Sequence, residues 1–248
     1  MNQNIFNLWL EAVPDLRGDR VPKFVLPPQH HPLLFLSLNP SYPQHLPTWI
    51  LQQGLDAESF LWEAHLRQHN GAYNPVAAHQ LAQLHHAARN HYPRFFRRIN
   101  AIAMHLGHTD YSHLDLFLRL DHAYKNLPRD FRDPANHLHP QHGPLNFVQA
   151  QLSLATDLIY QSHPQAIISV FPTAADILIN YWHSRFPGQQ QQDGWEVLHH
   201  FGRLTLKRTY IHFPGRPNPL PIFRCPVMRW MGAADFNILL NCLQAAIP

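Results

Sequence analysis

Only two cysteines, Cys225 and Cys242, occur in 248 residues. Two thiols make neither a disulfide framework nor a cysteine zinc site, and a reducing cytoplasm is the compartment they point to. Charge is also scarce: Asp, Glu, Lys and Arg make up 14% of the chain, against a usual share of about 25%. No run approaches ~18 consecutive apolar residues, so no transmembrane helix is expected. The opening residues, Met1-Asn2-Gln3-Asn4-Ile5-Phe6, have neither the basic region nor the apolar stretch of a secretory signal. A Gly-rich phosphate loop and a Gly-x-Ser-x-Gly elbow are both missing, which argues against a nucleotide cradle and an α/β-hydrolase nucleophile. These absences lead to the expectation of a soluble cytoplasmic protein that uses no membrane and no cofactor. Its oligomeric state is not written in the chain, and a monomer is the default.

Histidine (21 residues) and proline (23) fill the polar space that charge leaves. Net charge is +3 with neutral imidazoles and the pI is about 9.0. That balance permits an anionic partner such as nucleic acid without demanding one. Apolar residues are 45% of the chain, enough for a substantial core. With no repeat and no long linker, one domain spanning 1–248 is expected.

Short apolar runs alternate with helical periodicity. Residues 3–12 read as an amphipathic helix, and 33–38 as a strand buried on both faces. Helices are expected over 48–68, from Asn74-Pro75, and from Pro93 to a Gly107 cap. A second strand runs from Tyr111 to Leu118, and a long irregular segment follows over 119–143. A helix over 145–161 precedes a third strand at Ala166–Phe171, and Pro172 opens the next helix. Runs at 195–201 and 204–213 suggest a hairpin or a pair of consecutive strands. A last strand, Leu220–Cys225, leads into a closing helix. Strands alternating with helices predict an α/β fold with a mostly parallel sheet of four to five strands and helices on both faces, a three-layer α/β/α arrangement.

The junction Leu33-Leu34-Phe35-Leu36-Ser37-Leu38-Asn39-Pro40-Ser41-Tyr42-Pro43 carries the most chemistry. Pro40 lacks an N–H and biases Asn39 away from the helical region, so the strand must end there. Ligands in open α/β sheets bind outside the carboxyl ends of the strands.

Three segments give the chain a likeness to a known family. Ser37-Leu38-Asn39-Pro40-Ser41 is similar to the Gly-x-Asn-Pro-Gly type motif of the uracil-DNA glycosylase superfamily. The helix Phe96–Gly107 followed by Tyr111-Ser112-His113-Leu114-Asp115-Leu116-Phe117 resembles the helix that leads into that family's second strand. Pro221-Ile222-Phe223-Arg224-Cys225-Pro226-Val227-Met228 resembles the strand that enters its His-Pro-Ser loop. Two departures stand out: Ser37 replaces the motif glycine, and Cys225-Pro226-Val227 replaces His-Pro-Ser. The missing histidine is the residue that helps stabilise the departing base.

The resemblance implies a uracil-DNA glycosylase-like fold and hydrolysis of the bond between a base and its sugar in DNA. Asn39 would hold the attacking water. Ser37, Ser41, Tyr42, Trp49, Asp115 and Phe117 would line the base pocket, with Tyr42 or Trp49 as the stacking face and Asp115 or Arg119 at the edge-reading position. Arg224, Met228, Arg229 and Trp230 would meet DNA, because apolar wedges beside cations are how proteins open a base step. Lys207, Arg208, Arg216, Arg129 and Arg132 would extend the basic face.

Each feature also has a structural explanation. Asn-Pro merely ends a strand in many proteins. Tyr42 and Trp49 serve equally as core aromatics, Asp115 as a partner of Arg119, and the Met228–Met231 loop as core. A protein that binds a nucleobase-like ligand or nucleic acid without cleaving it is the alternative function. The clusters His137-Leu138-His139-Pro140-Gln141-His142, His85-His86 and His199-His200 lack the carboxylate spacing of a metal motif, so no metal site is expected.

Overall fold

The computed structural model describes residues 1–11, 21–27, 29–38, 61–87, 93–117, 144–186 and 194–247, with 48, 51 and 52. The chain divides into two compact units: Met1–Pro27 with Asn39–Ala88 and Phe117–Leu154, and Pro28–Leu38 with Arg89–Leu116 and Ala155–Pro248.

The regular elements described in the first unit are helices. It contains α1 (Asn2–Glu11), α2 (Trp62–Gln68) and α3 (Pro75–Ala87), and α1 packs on α3. Asn74 caps α3, its Oδ1 accepting the N–H groups of Val76 and Ala77 at 3.0 and 3.1 Å. Pro75 follows as the first helical residue, where its missing N–H costs nothing. Aromatic rings fill the interior: Phe6 meets Trp62 and Tyr73 edge-on at 5.3 and 5.6 Å. Asn2 fastens the segment after α1, donating to Val25 O at 2.9 Å and accepting from Val25 N at 3.0 Å.

The second unit holds the sheet. Its strands are β1 (Leu33–Ser37), β2 (Ser112–Asp115), β3 (Ala166–Ser169), β4 (Glu196–Phe201), β5 (Leu204–Ile211) and β6 (Leu220–Arg224). They lie in the order β2-β1-β3-β6-β5-β4. The first four neighbours are parallel, β5 is antiparallel to β6, and β4 is antiparallel to β5. All positions of β1 and β3 are buried, as expected for strands covered on both faces. The fold is therefore α/β with a mixed sheet of six strands, not four to five. The hairpin around Gly202-Arg203 joins the sheet through the β5–β6 pairing. At its outer edge Arg208 bonds Glu196 directly across the pair at 2.7 Å, and the register shifts between Val197 and His199.

Helices α4 (Pro93–His105), α5 (Pro144–Ser162), α6 (Pro172–Arg185) and α7 (Ala233–Ala246) complete the described elements, with one 3₁₀ turn at Met228–Trp230. Residues 155–162 of α5 belong to this unit. Helix α6 packs on β1, β3 and β6, and α7 packs on α4 and β4. Alternate strand residues Leu33, Phe35, Ala166, Ile168 and Phe223 join Ile99, Ile102, Leu239 and Leu243 of α4 and α7 in one core, which follows from the two-residue period of strands and the three-to-four-residue period of helices. Among the described residues no helix is long and apolar enough to cross a membrane.

Candidate functional site

The four parallel strands end in a row of polar side chains. Register places Ser37 of β1 opposite Asp115 of β2, Leu36 opposite Ser169 of β3, and Ser169 opposite Arg224 of β6. This is the carboxyl edge, where open α/β sheets bind ligands. The ladder continues past the strand ends: Leu116 N donates to Ser37 O at 3.0 Å, Val170 N to Leu36 O at 2.9 Å, and Cys225 N to Ser169 O at 3.0 Å.

Ser37 and Asp115 are each 2% exposed. The Ser37 hydroxyl donates to Asp115 Oδ1 and also meets His113 Nε2 at 2.9 Å. A hydroxyl has one hydrogen. With Asp115 ionised, that hydrogen goes to the carboxylate and His113 donates through Nε2. The trio therefore fixes a buried carboxylate. It does not activate a serine nucleophile, which would need the serine hydrogen directed at the imidazole. Phe95 and Phe96 close over His113 edge-on at 5.9 and 5.1 Å.

At the end of β6, Arg224 makes a fork with Asp176 of α6, Nε to Oδ1 at 2.8 Å and Nη2 to Oδ2 at 3.0 Å. Lys207 stands across from Arg224 in the β5–β6 register. Arg208 is held by Glu196 and lies over the Tyr210 ring at 5.3 Å. The loop that follows β6 splits its roles. Met228 and Met231 are core residues at 6% and 5% exposure, whereas Trp230 is 64% exposed. Arg98 of α4 pins this loop, donating from Nη2 to Met231 O at 2.9 Å and lying over the Phe236 ring at 5.0 Å. Cys225 is fully buried, and burial pushes its thiol up to about 12. A thiol so placed is held in its neutral form, and the thiolate is the nucleophilic one.

Of the residues expected at the site, the sheet brings together Ser37, Asp115 and Arg224 at one edge, and Met228 and Trp230 follow in the loop after β6. Phe117 is buried at 1% exposure. Asn39, Ser41, Tyr42 and Trp49 lie outside the described residues, as do Arg119, Arg129, Arg132 and the side chain of Arg229. The loop histidines His137, His139 and His142 lie outside them too. Among the described residues no group of three or more His, Cys, Asp or Glu side chains is placed to hold a metal ion.

Sequence reasoning missed His113, Ser169 and Asp176. His113 had a signal, since it lies two residues before Asp115 in a strand and so shares its face. The other two are found only once the strand order is known.

No family model, no curated protein and no solved structure matches this chain.

Proposed function

We propose that the chain is a three-layer α/β/α protein of the uracil-DNA glycosylase type, and that it hydrolyses the N-glycosidic bond of a deaminated or damaged base in DNA. One observation carries the reading: Ser37 at the end of β1 is bonded to Asp115 at the end of β2, with Asn39-Pro40 two residues further along the chain. The parallel order β2-β1-β3-β6 and the packing of α6 on the parallel strands support it.

In this reading the base leaves the stack at a cost of a few kcal/mol. Exposed Trp230, beside Arg229, wedges into the vacated step. Asp115, an acceptor when ionised, takes an N–H of the base edge, and the Ser37 hydroxyl holds it in place. Asn39 positions the water at the sugar carbon. An amide suffices there, because a sugar approaching an oxocarbenium ion needs little base strength. The test is incubation with oligonucleotides carrying uracil, hypoxanthine or xanthine, followed by alkali. Strand breaks that vanish in Asn39→Ala support the reading.

The burial of Cys225 favours a second reading. The family's stabiliser of the departing base is replaced here by a neutral, buried thiol. A protein that binds a nucleobase-like ligand or nucleic acid without cleaving it fits that replacement. Salt-sensitive binding without strand breaks would identify it, since each phosphate contact on duplex DNA adds about 0.9 to the salt slope.

A further inference from the structure

The segments that lead into β1, β3 and β6 meet at the amino-terminal edge of the sheet, opposite the row of Ser37, Asp115 and Arg224. Gln165 N donates to Pro32 O at 2.8 Å and thereby joins the approaches to β1 and β3. Arg216, on the approach to β6, donates from Nη1 to Pro164 O at 3.2 Å and from Nη2 to His163 Nδ1 at 3.1 Å. The His30 ring lies 5.4 Å from the His163 ring, and the Tyr160 ring lies 5.8 Å from it. The Tyr160 hydroxyl reaches the turn before Arg216, where a methyl group on Gly215 would stand 3.8 Å from it.

We propose that Arg216, His163, His30 and the Tyr160 hydroxyl form a phosphate-binding site at this amino-terminal edge, separate from the carboxyl-edge site and independent of its function.

Charge supports it first. The partners of Arg216 are a carbonyl, an imidazole nitrogen and the Phe213 ring at 5.7 Å. Among the described residues no carboxylate pairs with it. Burial pushes its guanidinium below the usual range, and the nearby Tyr160 only partly opposes this. A partly desolvated cation with neutral partners gains most from an anion.

Donor supply is the second support. Among the described residues two of the five guanidinium N–H groups are used, leaving three, and the fork matches phosphate oxygens. Because Arg216 can only donate, His163 Nδ1 accepts, so the neutral ring carries its hydrogen on Nε2 and offers a second donor. His30 and His163 are exposed, and Tyr160 is 42% exposed.

Backbone conformation is the third. His163 has φ +47° at the stop of α5, a place where glycine or asparagine is cheaper. An imidazole stands there despite that cost.

Inorganic phosphate titrated into the intact protein, read by the histidine ring resonances, tests the proposal. Saturable shifts at His163 and His30 are expected. Affinity should fall by about tenfold or more in Arg216→Gln, the size of one lost charge-assisted bond. His163→Asn tolerates the left-handed backbone and should weaken binding while leaving the fold intact, which guards against a loss through misfolding of the arginine variant. A single-stranded oligonucleotide with and without a 5′-phosphate separates the sources. A gain that needs the terminal group and is sensitive to Arg216→Gln assigns the site to phosphate monoesters, and equal Arg216-dependent binding assigns it to backbone diesters. Absence of saturable shifts, or equal affinity in wild type, Arg216→Gln and His163→Asn, would overturn it.

Discussion

Arg224 and Asp176, 48 positions apart in sequence, meet in a two-bond fork of 2.8 and 3.0 Å that ties the end of β6 to α6. The side chains are 24% and 32% exposed, so solvent screens the pair in part. A double-mutant cycle with Arg224→Met and Asp176→Asn, read by urea denaturation, should give a coupling of about 0.5–1 kcal/mol. Arg224→Lys should recover little of it, because an ammonium cannot reproduce the planar fork.

Ser37→Ala removes the hydroxyl that serves both Asp115 and His113. Leaving a buried carboxylate short of a donor should cost about 1–3 kcal/mol. Asp115→Ala in the Ser37→Ala background should cost less than in the wild type, because the bond from the Ser37 hydroxyl is then already gone. Urea midpoints of the two single variants and the double variant check this, and strict additivity would contradict the bond.

These two pairings mark the limit of what the sequence reveals. Strand limits were nearly legible: 33–38 was expected and Leu33–Ser37 is found, 204–213 was expected and Leu204–Ile211 is found. Burial on both faces writes itself into a run of apolar residues, and Asn74-Pro75 announced its helix through capping chemistry. Of the strand expected over Tyr111–Leu118, whose last residue lies outside the described ones, Ser112–Asp115 is found, because apolar residues that pack beyond a strand look the same as those within it. Side-chain partnerships were not legible. Ser37 meets His113 across 76 positions and Arg216 meets His163 across 53, and such contacts are set by strand order and register, which no local pattern encodes.

His65 is 2% exposed and stacked on Trp62 at 5.9 Å, and its Nε2 has no hydrogen-bond partner among the described residues. Burial, with a smaller push from His69, lowers it from 6.5 to about 4. The folded state therefore prefers the neutral ring, while the unfolded chain takes up the proton below about 6.5. Stability should be fully present above that pH and fall as pH drops toward about 4, by roughly 3 kcal/mol at most. As pH falls between those limits, the urea midpoint of the wild type should drop relative to that of His65→Leu. Parallel curves would contradict it.

The two thiols should differ sharply. Cys225 is fully buried with its thiol pushed up to about 12, whereas Cys242 is only partly buried. A thiol reagent should label Cys242 in the native protein and reach Cys225 only in denaturant, because the thiolate is the reacting form. Peptide mapping of the labelled protein distinguishes the two.

The single-turnover rate of base release from a uracil-, hypoxanthine- or xanthine-containing oligonucleotide, compared between wild type and Asn39→Ala, bears most directly on the proposed chemistry. Release by the wild type, with a loss of about 10²-fold or more on removing the amide that places the water, is the expected result. No release by the wild type from any of the three substrates, or equal rates in the two proteins, would contradict it.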